Sequence, residues 1–416
     1  MEETSMEEHE QTLETEVAPA LIAVHPTQQS VAAAVGSDLR VFILEEGCSV
    51  ALVDDSAGPL HKDSIRAIRY GAKGRLFVSA GDDKLVKIWS TNSWRCICTV
   101  SSEKRVSALA ISNDGLFVCF ADKFGVVWVV DLDGSHENQP LVNKKAVPLL
   151  AHYCSIITSL EFSAEGRFII SADRDSKIRV TVFPKKPLDG AHEIQSFCLG
   201  HTEFVSCLAF VYSSDCPEGF LVSGSGDSTV RLWDLTSGSL LDIFEVGAEA
   251  GLVQSNGTEQ EGYPAVTDLC ATPDGSLISV AIQSLPGVMI LSCDLSAKTL
   301  SIVKVVSITG EAFIPTSLGA ASSAELLWMV MGVSNLHGSV SGSLARVRVI
   351  SGFNKKKGNL LGTSLFCWKI MTFLVDSNFC RSYREICLSR EKVFSAAAEA
   401  VKTALRNLLI QKTILC

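Results

Sequence analysis

Three histidines and four aspartates are the side chains of this 416-residue chain best suited to moving protons: His61, His152 and His201, with Asp83, Asp122, Asp175 and Asp227. Imidazole titrates near neutrality, and a carboxylate is its usual orienting partner. Their placement points elsewhere. Each histidine opens an alternating apolar segment, and an aspartate-bearing turn follows 22 to 26 residues later. A position that recurs in this way serves every repeat, because a buried turn carboxylate needs donors that imidazole and hydroxyl groups supply. These residues read as scaffold.

Other chemistry is weaker. Ser223-Gly224-Ser225-Gly226 has the composition of a phosphate-cradling loop, but it leads into a strand ending at Trp233, where such a loop would open a helix. It reads as a turn. No GxSxG, HExxH or Walker sequence is present. The fourteen cysteines include no CxxC pair; Cys96 and Cys98 could share a strand face, but no second pair at ligand spacing accompanies them. They read as small buried hydrophobes in a reducing, intracellular protein. No basic start followed by an apolar segment suggests export, and the apolar run 365–375, broken by Lys369, is about half a bilayer span. No membrane segment, metal, cofactor or catalytic residue is expected on this chain.

The elements that position these residues come from self-alignment. In 201–234, strands at 204–211 and 221–225 precede Asp227 and a third strand ending at Trp233. A second copy has His61, strands at 65–70 and 76–80, Asp83 and Trp89 with the same spacing from Asp to Trp. A third puts Ser102 in the His position, with Asp122 and Trp128; a fourth uses His152 and Asp175, with Thr181 in the Trp position. Weaker copies at 21–44 and 266–291 lack the His and Trp. A seventh would come from 317–349, with the N-terminal strand closing the ring. The acidic residues 1–17 are expected to be disordered, 247–262 to form a polar loop, and 391–412 to form an amphipathic helix.

Charge is uneven. The formal net charge is -10, but residues 1–17 hold seven glutamates and no Lys or Arg, whereas 84–186 carry 14 basic residues against 10 acids. Affinity for an anionic partner belongs in that stretch. Lys104, Arg105 and Lys123 fall in one repeat, and Asp173, Arg174, Asp175, Lys177 and Arg179 crowd one turn of the next. For any one of these residues the plain alternative is a solvated rim, with surface ion pairs worth under about 1 kcal/mol each. Asp175 is assigned mainly to its own turn, while Arg174, Lys177 and especially Arg179 are side chains the fold does not require. Guanidinium groups pair bidentately with carboxylates, and the cluster is read as a rim that binds a protein.

The four strong copies resemble the WD-repeat family, which implies an all-β propeller of four-stranded blades over 18–350, seven-bladed with an irregular or incomplete last blade. In that family His, Ser or Thr, Asp and Trp lock each blade by hydrogen bonds. Two runs, ADRDSKIRV and FCLGHTEFVS, are further similar to the non-catalytic WD-repeat subunit of the tRNA (guanine-N7) methyltransferase. That resemblance implies a nuclear heterodimer. A separate subunit binds S-adenosylmethionine and methylates a variable-loop guanine of tRNA, and this chain stabilises and activates it. It also implies partner contacts at Lys123, Asp173, Asp175 and Arg179, joined by Lys104 or Arg105, with tRNA touched mainly through the complex. The rival expectation is a general WD-repeat adaptor, such as a ubiquitin-ligase substrate receptor or chromatin scaffold. The pattern departs from the family after Gly352, and 351–390 read as atypical, inserted sequence.

Overall fold

A computed structural model describes residues 19–46, 48–54, 58–132, 144–152, 154–250, 264–308, 313–320, 326–332 and 345–351, together with the strand Ile370–Val375. They form seven antiparallel four-stranded sheets, each built from strands consecutive in the chain, at 21–50, 65–101, 106–151, 157–198, 205–245, 266–307 and 314–375. The innermost strands neighbour one another in that order, and the seventh meets the first. This is a seven-bladed propeller.

Strand sequence explains the radial packing. The second strand of blade four, Phe168–Asp173, is buried along its whole length, because neighbouring blades cover both of its faces. The inner strand of the same blade, Ile157–Phe162, leaves Thr158 and Glu161 half-buried among the residues that line the central cavity. Between blades five and six, Val222, Val230 and Leu232 pack against Ile278, Val280 and Met289. Between blades seven and one, Trp328, Val330 and Val347 meet Ile22, Val24 and Val31.

A ring of hydroxyls joins the inner strands near their starts. Thr158 donates to the Val205 carbonyl of the next blade. Ser206 donates to Val266 (2.6 Å), Thr267 to Pro315 (2.9 Å) and Thr316 to Ala20 (2.7 Å). The inner strands of blades four to seven and of blade one therefore start at the same end of the ring.

The last blade departs from expectation. It is complete, because Ile370–Val375 pairs antiparallel with Ala345–Ser351, running from Ala345 opposite Val375 to Ile350 opposite Ile370. The outer strand thus lies within the stretch read as inserted. Its apolar run has no two-residue alternation, which hid it. The N-terminal strand Leu21–Val24 is the inner strand of blade one and does not complete blade seven. The expected helix at 391–412 and the acidic segment 1–17 lie outside the described residues, as does most of the polar loop. The α-helix among the described residues is the single turn Val246–Glu249, and none is long and apolar enough to cross a membrane.

Candidate protein-interaction face

The histidines and aspartates assemble into locks. In blade two the Trp89 indole N–H donates to Ser79 Oγ (3.1 Å), His61 Nε2 lies 2.8 Å from that oxygen, and His61 Nδ1 lies 2.9 Å from Asp83 Oδ2. Blade five repeats this with Trp233 to Ser223 (2.8 Å), Ser223 to His201 (2.7 Å) and His201 to Asp227 (2.8 Å). A carboxylate only accepts, so Nδ1 carries the proton toward the aspartate; in the neutral ring Nε2 then accepts the serine hydroxyl's hydrogen, while the indole N–H donates to that same serine oxygen. Both nitrogens are used. No substrate could borrow this pair without unlocking the blade.

Blades three and four use a different aspartate position. In blade four His152 Nδ1 pairs with Asp173 Oδ2 at 2.8 Å and its Nε2 with Ser171 at 2.7 Å. Asp173 is buried and Asp175 is exposed, which corrects the assignment of Asp175 to the lock. The carboxylate of Asp173, at the strand end, accepts the N–H groups of Asp175 and Lys177, both at 3.0 Å. Blade three does the same: Asp122 accepts Phe124 N–H (2.9 Å) and Val126 N–H (3.2 Å). Trp128 does not occupy the position of Trp89 and Trp233, where Val130 stands; its indole donates directly to Asp122 at 2.9 Å. Ser102 accepts from the Lys104 backbone N–H at 3.3 Å, with no bond to Asp122 among the described contacts.

The pKa shifts follow. Burial raises Asp83, Asp173 and Asp227, but their histidine partners and backbone donors outweigh it and hold all three below the ordinary carboxylate value. Burial lowers the His201 pKa and outweighs the pull of Asp227. A depressed carboxyl adds stability that is present above its unfolded value of about 4 and lost as pH falls through the folded one. Asp268, in the channel wall, is raised to about 6 by burial. Its contribution opposes the others between about 4 and 6 and is constant below that range. The melting midpoint should therefore fall steeply below pH of about 4, and Asp227→Asn should flatten that fall, as thermal denaturation monitored by circular dichroism would show.

Moving the aspartate to the strand end frees the tip of each turn. Arg174, Asp175 and Lys177 are exposed at the tip in blade four, as are Lys123 and Phe124 in blade three. Each turn is tied to the start of its own inner strand: Lys123 N–H to Arg105 O (2.9 Å), Arg174 N–H to Ile156 O (3.0 Å). Lys104, Arg105 and both tips thus share one face of the ring. Gly125, at φ of 81°, brings the blade-three turn against the loop entering blade four; a Cβ there would lie 2.3 Å from the Ser155 carbonyl oxygen.

Phe124 escaped the sequence reading. It is 51 % exposed, with Lys104 Nζ 5.0 Å and Lys123 Nζ 5.4 Å from the ring centroid. The signal was available: Phe124 stands where blades two and five have Asp83 and Asp227, and an aromatic at a turn tip has no use inside its own blade. Arg179 moves the other way. Its guanidinium donates to Ala151 O (3.0 Å) and Thr181 Oγ1 (3.2 Å), so the fold does use it, and burial lowers its pKa.

The fold has many relatives. The solved structure titled "Structure of U3-55K" matches with a TM-score of 0.59 and 19 % identity, covering 77 % of this chain and 89 % of that one. At such identity the likeness speaks for the fold alone. Sequence relatives are more specific. The tRNA (guanine-N(7)-)-methyltransferase non-catalytic subunit wdr4 of Danio rerio is 35 % identical over 235 residues, 56 % of this chain and 52 % of that protein. The Xenopus laevis protein of that name is 28 % identical over 323 residues, 76 % of each chain, and the Homo sapiens one 32 % over 214 residues, 51 % of this chain and 48 % of that. The chain spans about half the length of the first of these relatives. A general WD-domain G-beta repeat model matches 59–90. The model described as "tRNA methyltransferase TRM82 WD40 domain" matches 135–346, just over half of the sequence, and the chain belongs to that family.

Proposed function

We propose that this chain is the non-catalytic subunit of a tRNA (guanine-N7) methyltransferase and binds the catalytic subunit through the face carrying Lys104, Arg105, Lys123, Phe124, Arg174, Asp175 and Lys177. The observation that carries the reading is the family match over 135–346, which includes the freed turn of blade four. The histidine-aspartate locks support it, because their hydrogen-bonding groups are spent within the blades. A scaffold raises turnover by binding its partner's competent conformation more tightly than the others, and needs no reactive group. S-adenosylmethionine is then a ligand of the catalytic subunit. tRNA meets this chain through phosphate contacts that position it without reading bases. The reading places the complex in the nucleus.

Mixing the purified chain with the catalytic subunit should raise N7-methylguanosine formation in tRNA by about tenfold or more, with no methylation by the chain alone. Equal rates with and without the chain would refute the reading.

A further inference from the structure

The acidic stretch 1–17 and the basic face of blades three and four have complementary charge, and the chain's path joins them. We infer that residues 1–17 dock on this face, over Phe124 and the lysines around it, and compete with the protein partner for it. The competition rests on the proposed function; the docking does not.

Lys104, Arg105, Lys123 and Lys177 form no ion pair among the described residues, and the acids beside them on this face are Glu103 and Asp175. Four cations against two acids leave this face net positive, and an acidic segment relieves the remaining repulsion. Glu2, Glu3, Glu7, Glu8, Glu10, Glu14 and Glu16 supply seven carboxylates, interrupted by Met6 and Leu13. Those two apolar side chains suit an exposed aromatic ring flanked by ammonium groups.

The chain emerges at the right end of the ring. Ala20 accepts the Thr316 hydroxyl in the inner-strand belt, at the end where Val106 and Ile157 begin. That is the end bearing the freed turns. A blade's four strands span about 15 Å from inner to outer. A dozen extended residues reach about 40 Å, more than twice the span from the axis to the rim of any blade, blades three and four included. Held on the same chain, even a weak segment competes at millimolar effective concentration.

The test uses the intact chain first. A zero-length carbodiimide joins glutamate carboxylates to lysine amines in contact. Mass spectrometry should find links from residues 1–17 to Lys104, Lys123 or Lys177, lost at about 1 M salt, where the screening length is about 3 Å. Deleting 1–17 should then tighten binding of the catalytic subunit about fivefold at low salt, with no difference at high salt. Absence of those links, or links that survive high salt, overturns the docking. Unchanged affinity on deletion, in a system where Lys123→Glu weakens the complex, overturns the competition and leaves the partner interface standing. If Lys123→Glu does not weaken the complex while the links form, the interface reading fails instead.

Discussion

Replacing Asp173 with alanine should destabilise the propeller by about 3 kcal/mol, whereas Asp175→Ala, two residues away, should change stability by no more than about 0.5 kcal/mol. The difference lies in what each carboxylate satisfies. Asp173 is 1 % exposed and holds His152 Nδ1 and the N–H groups of Asp175 and Lys177. Its removal leaves the imidazole without its partner inside the blade and two turn donors unmade, and each such loss costs about 1 to 3 kcal/mol before any relaxation. Asp175 faces water. Chemical denaturation of the two variants would measure this directly. A larger loss for Asp175→Ala would mean that the lock uses the position occupied by Asp83 and Asp227 in blades two and five.

Charge reversal at the freed tips should give the largest effect on assembly. Lys123→Glu combined with Lys177→Glu is expected to weaken binding of the catalytic subunit by about 100-fold, with the melting temperature unchanged, because neither side chain contributes to a lock. Phe124→Ala should cost about thirtyfold alone, the loss typical of an aromatic anchor at the centre of an interface. The charge variants should lose most of their effect at high salt and Phe124→Ala should not, since screening acts on the ammonium groups and not on the ring. Titration calorimetry at two salt concentrations separates the contributions. Undiminished affinity for all three variants would move the partner to another face.

The sequence made the blades legible where the lock is complete. His61, Ser79, Asp83 and Trp89 recur as His201, Ser223, Asp227 and Trp233 at matching intervals, because the same hydrogen bonds must close in each blade. It misled where two residues of one type stood near each other. Asp173 and Asp175 are both plausible turn carboxylates, and alignment selects Asp175 because it stands four residues after Ser171, as Asp83 does after Ser79. Blade three held the answer, since Asp122 stands two residues after Phe120 and a phenylalanine fills the other position. The partner face was legible as surplus charge but not as geometry. Whether Arg179 turns outward or caps the Ala151 carbonyl depends on a neighbouring outer strand that no local pattern announces. The outer strand of blade seven was missed because a largely apolar run without alternation reads equally well as a strand or as part of a helix.

The seven blades, each made of consecutive strands, also say something about biogenesis. Where a propeller's last sheet borrows its first strand, that strand must wait through the whole of synthesis with an open edge, a hazard for misassembly. Here Leu21–Val24 pairs at once with Ser30–Val35, and every later blade completes itself from chain just made. Thr316 and Ala20, 296 positions apart, then meet as two finished sheets. Closing the ring becomes a docking step between folded blades, and the slow, long-range pairing that burdens other all-β chains is confined to one seam.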